Sequence, residues 1–186
     1  MSMNDKERKS IKLLLGKSLN KLKQSDNFEQ EKSNFLSDFS VDVIKNPGHL
    51  IALLCKSYDE KSSEDFSLLL AIVNIFDLQR DVPLEFFITA LSDDWHYCHE
   101  DIVLILGNIK SDEAVDILYR TALANFKYLD YEYGHDSLRF KCLIALMNIN
   151  TPKAIEKLTL LSKLGCQFTR ERAKQMLETN RIGSML

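Results

Sequence analysis

Two short stretches hold most of the side chains in this chain that could do chemistry. Asp93-Asp94-Trp95-His96-Tyr97-Cys98-His99-Glu100-Asp101 and Tyr128-Leu129-Asp130-Tyr131-Glu132-Tyr133-Gly134-His135-Asp136 together contain seven carboxylates, no Lys or Arg, and most of the Tyr, His and Trp. Metal binding is the first chemistry to weigh. His96 and Glu100 are one helical turn apart, with Cys98 and His99 between them and His135 and Asp136 in the second stretch. A zinc site needs imidazoles or thiolates at defined spacing, and neither H-E-x-x-H nor a paired C-x-x-C occurs. These histidines therefore read as helix-start residues, and no metal is expected. Acid–base catalysis needs carboxylates in a sheltered pocket that shifts their pKa, whereas both stretches read as exposed loops. There is no glycine-rich phosphate loop, no G-x-S-x-G and no motif marking a cysteine nucleophile. The expectation is a protein that is not an enzyme and carries no cofactor.

The composition of these stretches suits binding. Tyr and Trp offer rigid contact area with polar tips, and carboxylates pair with Arg and Lys on a partner. The expected partner-binding residues are Asp93, Asp94, Trp95, His96 and Tyr97 from the first stretch. Tyr128, Asp130, Tyr131, Glu132, Tyr133 and Asp136 come from the second, with Asp116 and Tyr119 from the helix between them. One of Trp95 and Tyr97 is expected in the core, and the tyrosines at 128–133 are expected to be accessible. Phe86 is either an exposed anchor or a core residue.

Charge points the same way. The formal net charge is only −3, but residues 1–24 carry seven bases against two acids. Residues 59–136 carry seventeen acids against five bases, a net of −12. An acidic centre repels phosphate and favours a basic protein, so no direct nucleic-acid contact is expected. The alternative is an ordinary solvated acidic face.

The elements that must position these residues read as helices throughout. Strand alternation does not persist, and apolar residues recur at helical spacing. The chain also repeats itself. Asn108-Ile109-Lys110-Ser111-Asp112-Glu113-Ala114-Val115 matches Asn148-Ile149-Asn150-Thr151-Pro152-Lys153-Ala154-Ile155 at a shift of forty. A weaker copy runs from Ile75-Phe76-Asp77-Leu78 to Val82-Pro83-Leu84 and Phe87, at a shift of thirty-one. Ser111 and Thr151 suit the N-cap, and Pro83 and Pro152 suit the first helical position. Helical hairpins are expected at 64–78 with 82–92, 96–109 with 112–126, and 136–149 with 151–164. A capping helix follows at Thr169–Glu178. In such a stack the links between hairpins fall on one edge, which would bring the two acidic stretches together.

Ahead of the repeats, Ile11, Leu14, Leu15, Leu19 and Leu22 form one stripe. Phe28, Phe35, Leu36 and Phe39 form a second, and Leu50, Ile51, Leu53 and Leu54 a third. These are expected to cap the stack, since an open solenoid end would expose its core. The division is therefore residues 1–60 as an N-terminal helical cap and 61–186 as one continuous repeat region. The basic first helix could instead lie on a membrane or on nucleic acid, but its polar face carries only moderate charge. No run of residues suits a membrane span or a signal peptide. Cys55, Cys98, Cys142 and Cys166 are widely spaced and read as reduced thiols, so the expected location is cytoplasmic.

The turn Leu106-Gly107-Asn108-Ile109-Lys110-Ser111-Asp112-Glu113-Ala114-Val115, with its partner Leu146-Met147-Asn148-Ile149-Asn150-Thr151-Pro152-Lys153-Ala154-Ile155, resembles the turn of HEAT-repeat proteins. Met147 in place of Gly107 and the longer link before the third hairpin depart from that pattern. The resemblance implies an all-α fold, an α-α superhelix of three HEAT-like hairpins with an N-terminal helical cap and a C-terminal capping helix. Small acidic proteins similar to it include bacterial immunity proteins, which implies a basic partner such as a toxin nuclease domain whose active site is covered. The alternative is a scaffold or adaptor for cytosolic protein assembly. Some HEAT-like proteins are DNA glycosylases, but that reading needs a basic channel, and this centre is acidic. No membrane contact is expected, and the free chain is expected to be monomeric.

Overall fold

The computed structural model of this chain describes residues 2–20 and 28–183, with side chains for 2–16 and 28–180. The protein is all-α, with ten α-helices and no strand among the described residues. The chain forms two compact units, Met1–Val82 and Pro83–Leu186.

In the first unit lie α1 (Asp5–Asn20), α2 (Phe28–Asp38), α3 (Pro47–Asp59) and α4 (Ser63–Ile75). Helix α1 packs on α2 and α4, and α3 packs on α4. Helices α3 and α4, on either side of residues 60 and 61, thus belong to the same unit, which ends at Val82. The expected stripes form its core: Ile11, Leu14, Phe35, Phe39, Leu50, Leu53 and Leu54 are all buried. Leu22 and the side chain of Leu19 lie outside the described residues. The basic helix α1 meets acids within its own unit. Arg8 donates from Nε and from a terminal nitrogen to the two carboxylate oxygens of Asp65, at 2.8 and 2.9 Å. Lys12 pairs with Glu64, and Glu7 is buried with hydrogen bonds from the Asn4 N–H and the Ser40 hydroxyl.

The second unit contains α5 (Leu84–Ala90), α6 (His99–Ile109), α7 (Val115–Leu123), α8 (Gly134–Ile149), α9 (Pro152–Leu164) and α10 (Gln167–Gly183). Helix α6 packs on α8, α7 on both α8 and α9, and α10 on α8 and α9. The forty-residue repeat holds at the level of backbone conformation. Lys110 and Asn150 both leave their helix in the left-handed region, at φ 60° and 52°. Each is followed by an extended residue whose hydroxyl caps the next element. Ser111 accepts from the Glu113 N–H at 3.3 Å, and Thr151 from the Ala154 N–H at 3.2 Å. Pro152 occupies the first position of α9, where a missing N–H leaves no bond unmade. The apolar positions expected inward on α7, namely Ala114, Val115, Ile117, Leu118 and Thr121, are all buried.

The weakest copy shifts register. Its left-handed residue is Asp77, φ 55°, so matching it to Lys110 gives a spacing of thirty-three rather than thirty-one. A 3-10 turn at Leu78–Arg80 fills the link before Pro83, and the two helices of this copy, α4 and α5, belong to different compact units.

The Gly107 and Met147 difference also has a physical cause. A Cβ on Gly107 would come within 2.9 Å of both Cα and Cβ of Ala145, so α6 meets the backbone of α8 there. Met147, forty residues on, instead borders an open groove of about 530 Å³ between α8 and α10. Close approach demands glycine at one copy, and nothing demands it at the other.

Candidate protein-binding site

The first acidic stretch follows Leu91 and runs into α6, and two buried imidazoles hold it. His96 Nε2 donates to the Ala90 carbonyl at 2.8 Å, and its Nδ1 accepts the Cys98 N–H at 3.2 Å. His99 Nε2 donates to the Asp93 carbonyl at 2.7 Å, and its Nδ1 accepts the Tyr128 hydroxyl at 2.8 Å. Burial pulls both histidines below their ordinary pKa, His99 to about 4 with the neighbouring His96 adding to the effect. Both are neutral at pH 7, which fits a ring that donates at one nitrogen and accepts at the other.

His96, expected on the binding surface, is therefore a fully buried fastening of the turn. All four ring nitrogens of the pair are committed to these bonds. Among the described residues no three His, Cys, Asp or Glu side chains converge on a point where a metal could sit.

The same two imidazoles join the stretches. The ring of Phe126 lies 3.9 Å, centroid to centroid, from that of His99, and Tyr128 stacks beside it at 5.4 Å. Tyr97 then meets Tyr128 edge-on at 5.1 Å. Residues about thirty positions apart in sequence thus form one surface within the second unit. Phe126, which sequence reasoning passed over, stands just before the acidic stretch, and only its packing on His99 reveals its part.

The aromatic residues divide by exposure. Tyr97 is 66% exposed, Tyr131 63% and Tyr133 73%, whereas Tyr128 is half-buried. The expectation that Trp95 or Tyr97 would be core does not hold. Trp95 is half-buried, with its indole N–H donating to the Asp93 carboxylate at 3.1 Å, and Tyr97 faces solvent.

The carboxylates divide too. Asp136 pairs with Arg139 at 3.2 Å, and Glu100 pairs with Lys141. Asp116 bridges Lys153 and Lys157 at 3.0 and 3.1 Å, and hydrogen bonds from Lys153 and then Lys157 hold its pKa below the usual carboxylate range. Lys157 also lies 5.1 Å above the Tyr119 ring, so Asp116 and Tyr119 are already engaged by α9. Asp116, Tyr119, Asp93 and Asp136 thus each already have a partner within the chain. The cations responsible follow the acidic stretches in sequence, on α8 and α9, and packing carries them back alongside.

Asp94, Asp130 and Glu132 remain as exposed carboxylates. Asp130 lies 3.5 Å from His135 Nε2, which accepts the Phe126 N–H at 3.2 Å, and its side chain is still 66% exposed. Tyr97 and Asp94 thus lie beside a half-buried Tyr128, and the exposed Asp130, Tyr131, Glu132 and Tyr133 follow it in the chain.

No protein-family model matches the chain, and no curated protein or solved structure matches it. No helix among the described residues is long and apolar enough to cross a membrane.

Proposed function

We propose that this chain is a non-catalytic protein-binding protein whose second unit captures a basic partner on the surface formed by Tyr97, Tyr131 and Tyr133 with Asp94, Asp130 and Glu132. The observation that carries the reading is the meeting of the two acidic stretches at Tyr97 and Tyr128, with rings 5.1 Å apart. Exposed tyrosines supply contact area at low entropic cost, and uncommitted carboxylates draw Arg and Lys. The partner is a basic toxin domain, a nuclease, whose active site the surface covers in place of nucleic acid; the chain is an immunity protein of HEAT-like build. The repeated turn conformation at Lys110 and Asn150 supports the HEAT-like reading. Four cysteines, widely spaced in sequence with no C-x-x-C pair, support a cytoplasmic setting.

Capture from the host followed by mass spectrometry tests this. One basic domain, bound at nanomolar affinity and inhibited in nucleic-acid cleavage by added chain, is the expected result. The triple variant D94N/D130N/E132Q should slow association by roughly tenfold or more at low salt and flatten its salt dependence, because steering by opposite charge dominates the on-rate. An unchanged rate and salt slope would remove this surface from the interface. Several partners of modest affinity would favour the scaffold reading instead.

A further inference from the structure

The surface is not flat. Asp94, Tyr97, Asn125, Phe126, Lys127 and Tyr128 line a recess of about 510 Å³ in the second unit. Aromatic rings make up much of its wall: Phe126 and Tyr128 lie 6.1 Å apart at 46°, and Tyr97 stands edge-on to Tyr128 at 5.1 Å and 61°. Rings at such angles present π-faces in more than one direction, which suits a cation rather than a neutral ring. Asp94 is exposed on the same wall, and Asn125 supplies an amide that also accepts from Arg139 at 2.7 Å.

The floor is fixed and uncharged. Tyr128 spends its hydroxyl proton on His99, and burial first, with the Glu100 charge second, pushes its phenol pKa upward, so it stays neutral. His99 beneath it is neutral as well, so no imidazolium opposes an entering cation. Among the described residues Lys127 is the one cation lining the recess.

We propose that this recess is the anchor site of the interface and receives one arginine side chain of the basic partner, its guanidinium lying against the Tyr97 and Tyr128 rings and paired with Asp94. This rests on the protein-binding reading above and adds the chemistry of its central contact. Arginine is favoured over lysine because a planar guanidinium stacks on aromatic faces and meets a carboxylate through two parallel N–H bonds. A strongly hydrated ammonium does neither as well. A buried arginine against aromatic groups, ringed by weaker contacts, is a common centre for a protein interface.

The test needs no partner. The full chain, isotopically labelled, is titrated with N-acetyl-arginine amide and separately with N-acetyl-lysine amide, and followed by NMR. Saturable shifts confined to residues 94–97 and 125–128, with arginine binding at least threefold tighter than lysine, are expected. D94N and Y97L should each weaken the arginine probe at least fivefold. Y97L keeps apolar bulk but removes the π-face, and both side chains are exposed, so the variants keep the fold. E113Q, an exposed acid outside the recess and outside the proposed surface, should leave the probe unchanged. Absence of saturation, equal affinity for both probes, or an equal loss in E113Q would overturn the proposal. Failure of the probe while the triple carboxylate variant still slows a basic partner would remove the anchor and leave the surface standing. A bound probe with an unaffected partner would do the reverse.

Discussion

Tyr133 occupies the left-handed region at φ 64°, yet its side chain is 73% exposed. A residue with a Cβ in that conformation costs about 1–2 kcal/mol, and an exposed ring recovers little of it by burial. Glycine would adopt the same backbone freely, less about 0.5–1 kcal/mol for its own loss of freedom on folding. Y133G should therefore leave thermal stability unchanged or raise it slightly, while weakening partner binding by about tenfold if the ring is a contact of hot-spot quality. Thermal denaturation and a binding titration on the same variant separate the two effects. A large loss of stability with unchanged affinity would make Tyr133 a structural residue. Its neighbour Gly134 is held for another reason: a Cβ there would fall 2.5 Å from the Leu129 carbonyl and 2.9 Å from the Tyr131 ring, so this glycine lets Tyr131 fold back over the start of α8.

Between elements, the contact of α6 with α8 sets the geometry on which the surface depends, since α6 begins at His99 and α8 begins at Gly134, each inside one of the acidic stretches. G107A places a methyl 2.9 Å from the Ala145 Cα, and backbone cannot swing aside as a flexible side chain can. It should destabilise the chain by about 1–3 kcal/mol, the usual cost of overpacking, readable as a lowered denaturation midpoint. The equivalent M147A, beside an open groove, should cost less than G107A. The reverse order would mean that α6 and α8 do not meet closely. This level was partly legible in sequence. Caps are local chemistry, so Ser111 and Thr151 announce themselves, as do the inward positions of α7. The state of each acid was not legible, because it depends on which way α8 and α9 turn once packed. Arg139, Lys141, Lys153 and Lys157 look like ordinary helix-surface cations until that phase is known. His96 and Tyr97 are adjacent in sequence and opposite in burial for the same reason: an irregular turn has no period from which to read an inside.

For the molecule as a whole, the net charge of −3 conceals a basic beginning and an acidic middle, and that contrast survives folding only in part, since Arg8 and Lys12 meet acids in the first unit. The two units also differ in how protons act on them. In the second, His99 has a pKa near 4 when folded, against about 6.5 for a solvated imidazole. The unfolded chain thus binds a proton at a pH where the folded chain refuses it. The stabilisation is complete above about pH 6.5 and is lost progressively as pH falls toward 4. At roughly 1.4 kcal/mol per unit, His99 alone can withdraw on the order of 3 kcal/mol across that window. His96, lowered in the same direction with its ring 4.6 Å away, deepens the loss. In the first unit, burial would raise the pKa of Glu7, but hydrogen bonds from Ser40, the Asn4 N–H and His49 outweigh it and hold the carboxyl below 4.5. Its contribution is present above that value and disappears only as pH falls beneath it. Denaturant titrations between pH 7.5 and 4 should therefore show a midpoint that falls on acidification, and H99Q should flatten that slope whatever it does to stability at pH 7.5. An unaltered slope in H99Q would mean that His99 takes up its proton in the folded state, and so that the hydrogen bond from Tyr128, which joins the two acidic stretches, does not hold as described.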